Sequence, residues 1–424
     1  MTQEQLSSDL SFALQADQSD DLRRFREKFL IPLSPDGNEI IYFTGNSLGL
    51  QPKTVRGYVT QELDDWETLG VEGHIHAKNP WLPYHEFLTP RMAAMIGAKP
   101  IETVVMNSLT VNLHLLLVSF YRPTAERHKV IVELGAFPSD RYAIESQIKF
   151  HGFDPAISLV EIAPRPGEST LRTEDIVETI ERDGSSVATV LLGGVNYYTG
   201  QAFEMGQIAA AGHKVGAFVG FDLAHAAGNL ELKMHDWGVD FAAWCSYKYL
   251  NGGPGAVGGA FVHERHANCD DLPRFAGWWG HDKTTRFLMG PEFVPLAGAE
   301  GWQISNPPIL QMAALRASLE IFEEAGMSAL AEKSRKLTGY LESLINNIGD
   351  ERISIVTPAD PSQRGCQLSF RVKGGDRSLH DNIVASGVSA DWREPDVIRV
   401  APVPLYNTFT DVFRFAEVLR SHLH

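Results

Sequence analysis

The stretch from about residue 100 to 265 constrains the fold most, because short apolar strands alternate there with helical segments. Nearly continuous apolar strands separated by helices indicate a mostly parallel sheet that is buried on both faces. Ligands of such sheets bind beyond the carboxyl ends of the strands, so polar residues that follow each strand are candidates for a functional site. The predicted strands are TVVM (103–106), KVIVEL (129–134), ATVLLGGV (188–195), GAFVGFDL (216–223), DFAAWC (240–245) and GAFV (259–262), and TEDIVETIE (173–181) is typical of an amphipathic helix between them.

A smaller α/β unit is predicted in the carboxyl-terminal part of the chain. We expect a long helical region over roughly 310–347, then strands ISIVT and CQLSFRV, a helix near 378–386, strand VIRVAP and a last helix from about 410. DQSDDLRRFREKFL (17–30) predicts a short polar helix near the amino terminus. A chain of 424 residues exceeds what one compact core usually holds. We therefore predict an amino-terminal arm over 1–70, a large domain over 71–309 and a small domain over 310–424.

Charge and cysteine content narrow the classes of function. The chain has 53 Asp and Glu against 37 Lys and Arg, a net charge of −16, which disfavours nucleic acid or an anionic membrane as a partner. Cys245, Cys269 and Cys366 are far apart and form no CxxC or Cys/His pattern, so no metal site is predicted. Reduced thiols of a cytoplasmic protein are expected, because the polar start MTQEQLSSDLSF predicts no secretory signal and the longest apolar run, 113–121, is too short to span a bilayer.

Two segments that end neighbouring predicted strands carry the strongest functional signal, FDLAHAAG (221–228) and WCSYKYLNGGPG (244–255). Asp222 ends an apolar strand, and a buried carboxylate there needs a cationic partner such as the protonated ring nitrogen of pyridoxal phosphate (PLP). His225 lies one helical turn further on. Lys248 follows the next strand, where partial burial would lower its pKa and suit it to a Schiff base. An ordinary helix cap at Asp222 and a solvated Lys248 are the alternatives.

Two further segments would suit the phosphate and the ring of such a cofactor. NSLTVNLH (107–114) opens a helix after a strand, and its amides with the hydroxyl of Thr110 would bind an anion. An ordinary Ser/Thr cap is the alternative. GAFPSD (135–140) follows the next strand, where Phe137 would stack on a flat ring or simply belong to the core.

The chain also contains a longer set of motifs: FDLAHAAGN, DWGVDFAAWCSYKYLN, AFPSDRYAIESQ, MNSLTVNLH, YYTGQ, GWWGH, ISNPPI, RGCQLSF and IRVAPVPLYN. Together these motifs resemble those of kynureninases, in family order from about residue 43 to 415.

The resemblance implies an α/β, PLP-dependent transferase-like fold of type I, with a mostly parallel sheet in a large domain plus a small C-terminal α/β domain. It implies a homodimer, with the arm over 1–70 contributing to the small domain and the dimer interface. The implied reaction is hydrolysis of the Cβ–Cγ bond of kynurenine or 3-hydroxykynurenine to L-alanine and anthranilate or 3-hydroxyanthranilate, in tryptophan catabolism toward NAD synthesis.

The resemblance also implies a role for individual residues around the cofactor. Lys248 matches the Schiff-base lysine, which also carries the Cα proton, and Tyr247 matches a phosphate contact proposed as an acid–base group. Trp278 and Asn306 are implied to reach the site across the dimer interface. The implied cofactor contacts are Leu109, Thr110, Phe137, Asp140, Asp222, His225, Tyr247, Lys248, Trp278 and Asn306.

Substrate recognition is implied at five positions. Arg399 matches an arginine that clamps the substrate carboxylate, a task suited to a bidentate guanidinium; without the resemblance, a strand arginine in a surface pair is preferred. Ser47, His74, Ser305 and Asn306 match the aromatic end of the substrate pocket. A His and an Asn there accompany preference for the 3-hydroxy substrate, which gives a modest lean. One departure is Gly193, where some members of the family carry a serine near the cofactor.

Two rival classes remain at the level of sequence. A cysteine desulfurase or selenocysteine lyase needs a nucleophilic Cys on a mobile loop, whereas Cys366 lies in a predicted strand. The lysine of those enzymes usually follows a histidine, and Tyr247 precedes Lys248 here. A non-catalytic protein of the same fold should have lost Lys248, Asp222 or Arg399, and all are present.

Overall fold

A computed structural model describes residues 7–268 and 271–423, so Cys269 lies outside the described residues. The helices are α1 (Leu10–Gln18), α2 (Val55–Leu69), α3 (Gly73–His76), α4 (Thr89–Ile96), α5 (Leu109–Phe120), α6 (Pro138–Phe150), α7 (Pro155–Ser158), α8 (Thr173–Asp183), α9 (Met205–Lys214), α10 (Ile309–Ala325), α11 (Met327–Asn347), α12 (Arg377–Ala385) and α13 (Phe409–Ser421). The strands are β1 (Phe29–Leu30), β2 (Ile41–Tyr42), β3 (Gln51–Pro52), β4 (Thr103–Val105), β5 (Lys129–Glu133), β6 (Leu159–Ile162), β7 (Val187–Gly193), β8 (Phe218–Asp222), β9 (Phe241–Trp244), β10 (Gly259–Val262), β11 (Ile353–Ile355), β12 (Leu368–Val372), β13 (Val388–Ser389), β14 (Asp391–Arg393) and β15 (Val397–Val400).

The large sheet has the order β4-β10-β9-β8-β7-β5-β6 within the described residues. Strand β10 runs antiparallel to β4 and to β9, and the other pairs are parallel. The predicted strands and the mostly parallel sheet are thereby confirmed. Sequence reasoning missed β6, because only its last residue is fully buried and LVEI offers no continuous apolar run.

Both faces of this sheet are covered, as its apolar strands predict. Along β5, Ile131 points into one hydrophobic core, whereas Val130 and Val132 point into another on the opposite face. The alternation follows from the two-residue period of a strand. Because both faces are closed by helices, a ligand reaches this sheet only at the edge where the strands end.

A second sheet, with the order β11-β12-β15-β14, is antiparallel throughout, as expected for the carboxyl-terminal unit. It packs in a separate core together with α11 and α13. Ala13 and Phe43, from the first 70 residues, also lie in that core. The boundaries 1–70, 71–309 and 310–424 stay a prediction.

The helical region predicted over 310–347 is confirmed, and it consists of two helices because Gly326, with a φ of 77°, separates α10 from α11. Glycine adopts this positive φ without a steric penalty and so ends the first helix. The helix predicted over 17–30 is wrong: α1 ends at Gln18, and a 3-10 helix over Arg23–Lys28 follows.

Candidate cofactor and active site

A cavity of about 260 Å³ lies at the edge of the large sheet where its parallel strands end. Glu133, Gly193 and Asp222 are the last residues of β5, β7 and β8, and all three line it. Parallel strands bring their carboxyl ends to one edge, which explains why residues nearly ninety positions apart meet here. The lining residues are Ser108, Leu109, Thr110, Glu133, Phe137, Ser139, Asp140, Gly193, Val195, Tyr197, Asp222, Ala224, His225, Tyr247 and Lys248.

Lys248 is held in this cavity by His225 and faces an aromatic ring. Its Nζ lies 3.0 Å from His225 Nε2 and 5.7 Å from the centre of the Phe137 ring. Burial, and then the charge of Lys248, keep the pKa of His225 well below its ordinary value, so the imidazole is neutral and accepts a hydrogen bond from the ammonium group. The opposite nitrogen, His225 Nδ1, is buried and has no partner among the described residues. A buried polar atom left in this way indicates that a ligand group belongs beside it.

Asp140 and Asp222 form a buried carboxyl pair. Asp222 Oδ1 accepts a hydrogen bond from the amide of Ala224 at 2.7 Å. Burial raises the pKa of both acids, and the neighbouring Asp222 raises that of Asp140 further, so Asp140 keeps a proton and donates it to Asp222. Within the described part of the chain, Lys248 is the cation that opposes these shifts. A protonated pyridine nitrogen placed against Asp222 would give this buried pair a direct cationic partner.

The cavity ends, on another side, at the amino terminus of α5. Ser108 precedes this helix in extended conformation, and its side chain does not cap the helix within the described structure. The first amides of α5, from Leu109 onward, are therefore available to an anion. Thr110 Oγ1 lies 2.9 Å from Ser139 Oγ in the first turn of α6, so a hydroxyl pair stands beside those amides. This arrangement suits a phosphate group.

Tyr247 lines the cavity next to Lys248 and is paired with a thiol. Burial, and next the adjacent Cys245, raise the pKa of Tyr247 above its ordinary value, so its hydroxyl stays protonated. Burial also raises the pKa of the Cys245 thiol to about 11. Tyr247 is thus placed to donate a proton or a hydrogen bond into the cavity.

Sequence reasoning missed Glu133, Ser139 and Tyr197 as lining residues. Glu133 could have been found, since KVIVE ends in an acid just as FVGFD ends in Asp222. Tyr197 follows β7 in the loop VNYYTG, a position where ligands of parallel sheets are expected. Ser139 carries no comparable signal, because a serine in a first helical turn is common.

Arg399 lies deep in the protein, which excludes the alternative of a surface arginine. It is 1% exposed on β15 and pairs with Asp391 and with the carbonyl of Tyr197. Its guanidinium carbon is 6.0 Å from the centre of the Tyr197 ring, which lines the cavity. Arg393 Nη2 also reaches Asp391, at 3.2 Å. Arg399 therefore lies behind the residues that line the cavity, and its guanidinium is already paired with the carboxylate of Asp391.

The other predicted substrate residues, with Trp278, do not line the cavity in the single chain. Trp278 is 42% exposed and donates a hydrogen bond from Nε1 to the carbonyl of Arg286 at 3.2 Å. His74 Nδ1 lies 3.0 Å from the carbonyl of Val71. The surface of the single chain also exposes Ser47, Ser305 and Asn306. Their roles stay predictions.

The fold and this cavity define a class, the PLP-dependent enzymes of fold type I. The cysteine desulfurase CsdA from Escherichia coli superposes with a TM-score of 0.77 at 16% identity, over 95% of this chain and 98% of that chain. A C-DES mutant with glycine covalently linked to its PLP cofactor gives 0.76 at 16% identity, over 93% and 98%. At this identity the likeness shows the fold alone.

The particular family follows from the sequence comparison. A family model described as the kynureninase C-terminal domain matches residues 330–419. The kynureninase of Koribacter versatilis is 62% identical over 414 residues, with 98% of both chains covered, and that of Myxococcus xanthus is 60% identical over 412 residues, with 97% of both covered. The chain belongs to the kynureninase family, and the resemblance seen in its motifs is confirmed.

Proposed function

We propose that this protein uses PLP to hydrolyse the Cβ–Cγ bond of L-kynurenine, 3-hydroxy-L-kynurenine or both, forming L-alanine and anthranilate or 3-hydroxyanthranilate. One observation carries the proposal: Lys248 lies in a cavity beside a buried carboxyl pair, in a chain that matches kynureninases along nearly its full length. The cavity thus has an amine for a Schiff base and an acid for the ring nitrogen.

PLP, when bound through Lys248, draws electrons from the substrate and so makes its Cα proton acidic. Lys248 Nζ is the group within reach that takes up and returns this proton. The neutral His225, 3.0 Å away, orients the amine without competing for its proton. Asp222 would hold the ring nitrogen, and the amides of α5 with Thr110 would hold the phosphate.

Two further residues act on the substrate in this proposal. Tyr247, protonated because burial raises its pKa, donates a proton as the carbon–carbon bond breaks. Arg399 binds the substrate carboxylate, because a buried guanidinium suits a planar anion. Hydration of the carbonyl next to the scissile bond supplies the oxygen atom of the aromatic acid.

A cysteine desulfurase is the runner-up because solved desulfurases share the fold. The thiols that the structure describes do not support it. Cys366 is fully buried, and burial raises the pKa of its thiol to about 12. Cys245 is 3% exposed. A nucleophilic thiol should be exposed and of low pKa, so neither cysteine suits that chemistry.

The first experiment combines the visible spectrum with turnover. The protein loaded with PLP should show a cofactor absorption band that Lys248→Ala abolishes, and it should convert kynurenine or 3-hydroxykynurenine to alanine. Steady-state assays with both substrates decide the predicted lean toward the hydroxylated one. Release of sulfide from cysteine, without turnover of either kynurenine, would overturn the proposal in favour of the desulfurase.

We also propose that the active unit is a homodimer, in the cytoplasm, with sites shared between chains. The support is an exposed apolar segment that a partner would cover; its exposed members are Phe275, Trp278, Phe287, Leu288, Met289, Phe293 and Val294. Ser305 and Asn306 follow this segment and are themselves exposed. In the described residues, no helix combines the length and apolar character needed to cross a membrane. A role in tryptophan catabolism toward NAD synthesis belongs to the same proposal.

Mixed dimers test the shared site. Lys248→Ala and the double variant Trp278→Ala/Asn306→Ala should each be nearly inactive. When the two chains are co-expressed with different tags and the mixed dimer fraction is purified, one of its two sites is intact if Trp278 and Asn306 act across the interface. The purified mixed dimer should then recover about half of wild-type activity, and the unfractionated statistical mixture about a quarter. Activity no greater than that of the parent variants contradicts the shared site.

A further inference from the structure

Gly193 and Glu133 end neighbouring strands and touch each other in the cofactor cavity. The amide of Gly193 donates to both carboxyl oxygens of Glu133, at 3.2 Å and 3.4 Å. Glu133 is 4% exposed and lines the same cavity as Asp140 and Asp222. None of the roles assigned above uses this carboxyl.

The glycine at 193 is favoured by space and not by backbone conformation. It is the last residue of β7, and its φ lies outside the left-handed region that favours glycine. A Cβ added here would lie 3.2 Å from Glu133 Oε1 and 3.3 Å from the carbonyl oxygen of Val195. Both contacts are tighter than ordinary van der Waals packing. A side chain at 193 would therefore push the carboxyl away from the amide that holds it.

The charged groups around Glu133 indicate what its carboxyl does in the cavity. Glu133 faces Asp222 on β8 and Asp140 on α6, and the charge of Lys248 lowers the pKa of both of those acids. An ionised Glu133 raises the pKa of Asp140, so it helps to keep the shared proton on Asp140 and the negative charge on Asp222. His225 Nδ1, buried and without a described partner in the same cavity, independently marks the space in front of these acids as a ligand position.

We propose that Glu133 is a positioning residue of the PLP site, which strengthens the protonation of the cofactor ring nitrogen through Asp140 and Asp222, and that Gly193 provides the room for it. The inference rests on the proposed PLP site in this cavity. Burial, opposed by the amide of Gly193, raises the pKa of Glu133 to about 7, so its charge changes near neutral pH. The cofactor should sense that change.

The test is a pH titration of the visible cofactor band of the holoenzyme. Glu133→Gln keeps an acceptor for the Gly193 amide and removes the charge. We expect the apparent pKa of the band to fall by about half a unit or more, because a nearby negative charge favours the protonated cofactor. Gly193→Ala should shift it in the same direction by less, since the methyl group displaces a carboxyl that is still present.

Glu161→Gln is the matched control. Glu161 lies on β6 opposite Val132, one register position away from Glu133, and pairs with Arg141 outside the cavity. Its titration should superpose on wild type. Gly193→Ser should lie between Gly193→Ala and wild type, because its hydroxyl can donate to the carboxylate.

Coincident titrations for wild type, Glu133→Gln and Glu161→Gln would overturn the inference. If Glu133→Gln does not fold or does not hold PLP, Gly193→Ala decides alone, and an unchanged band titration in that variant overturns it. Loss of the band in every variant and in wild type would instead refute the proposed PLP site, so the two failures are distinguishable.

Discussion

Eight of the ten residues predicted to hold the cofactor line one cavity, whereas the other two and most residues predicted to recognise the substrate lie outside it in the single chain. Asp140, Asp222, His225 and Lys248 all line the cavity, and each has a contact that fixes it. By contrast, Ser305 and Asn306 are exposed. One folded chain therefore assembles most of the contacts proposed for the cofactor (the cofactor side), while the contacts proposed for the substrate (the substrate side) depend on further residues.

Arg399 shares one property with each of these two groups of residues. It is buried like the cofactor residues, yet its guanidinium already holds Asp391. A substrate carboxylate would have to share or replace that contact. The proposed role of Arg399 therefore requires an exchange of partners, whereas most of the proposed cofactor contacts are already in place.

The largest effect is expected for the negative charge of Asp222, which would face the ring nitrogen of the cofactor. Asp222→Asn keeps an oxygen for the amide of Ala224 but removes the negative charge, so kcat should fall about a thousand-fold. Steady-state turnover of kynurenine measures it. Asp183→Asn is the control, since Asp183 pairs with Lys129 away from the cavity and should leave kcat near wild type. Nearly normal turnover in Asp222→Asn would show that the carboxyl pair does not serve the cofactor.

A smaller effect, confined to the binding of substrate, is expected when Arg399 is substituted. Arg399→Lys keeps a positive charge but loses the bidentate geometry, so kcat/KM should fall about a hundred-fold, mainly through KM. The visible cofactor band should persist, which separates this variant from those on the cofactor side. Arg393→Ala, which removes the other arginine on Asp391, is the comparison and should act more weakly. A lost band in Arg399→Lys would contradict the division between the two sides.

Substrate preference should change only modestly at His74. His74→Ala should lower the ratio of kcat/KM for 3-hydroxykynurenine to that for kynurenine by about ten-fold or less, because one hydrogen bond is removed. His76→Ala, two residues further along α3, serves as the control. An unchanged ratio would place His74 outside the substrate pocket.

A separate effect, on stability, is expected in the absence of PLP. The folded-state pKa of Glu133, about 7, lies above its ordinary value of 4.5, so the folded state binds a proton that the unfolded state releases. The unfolding free energy of the apoprotein should therefore fall as pH rises from about 4.5 to about 7, by at most about 3 kcal/mol from this group. Denaturant titrations at pH 5 and pH 8 measure the change. Glu133→Gln should show a weaker pH dependence; an equal slope would contradict the raised pKa.

Much of the cofactor side could be predicted from the sequence, because it obeys a rule of position. Asp222 ends an apolar strand and Lys248 follows the next one, and parallel strands deliver both to one edge. Glu133 obeys the same rule, since it also ends an apolar strand, but no motif marks it. Strand β6 was missed since its burial is partial.

The substrate side was beyond such reasoning. Among the described residues, no buried strand lies next to Ser305 and Asn306, so no strand pattern predicts where their side chains point. Only the family resemblance indicates a role for them. Arg399 would have been taken for a surface residue without it. Its pairing with Asp391 on β14 depends on the register of an antiparallel sheet, which no local pattern specifies.

The start of α5 has a consequence for how this enzyme tolerates sequence change. A main-chain amide is kept in nearly every substitution, so the proposed phosphate contact at position 109 should not depend on which side chain is present, even though Leu109 itself packs against a hydrophobic core. Proline is the informative exception. It is compatible with the first position of a helix but has no N–H to offer, so Leu109→Pro would delete a single phosphate donor while leaving α5 in place. Anchorage by the backbone thus makes this proposed contact insensitive to every amino acid except proline.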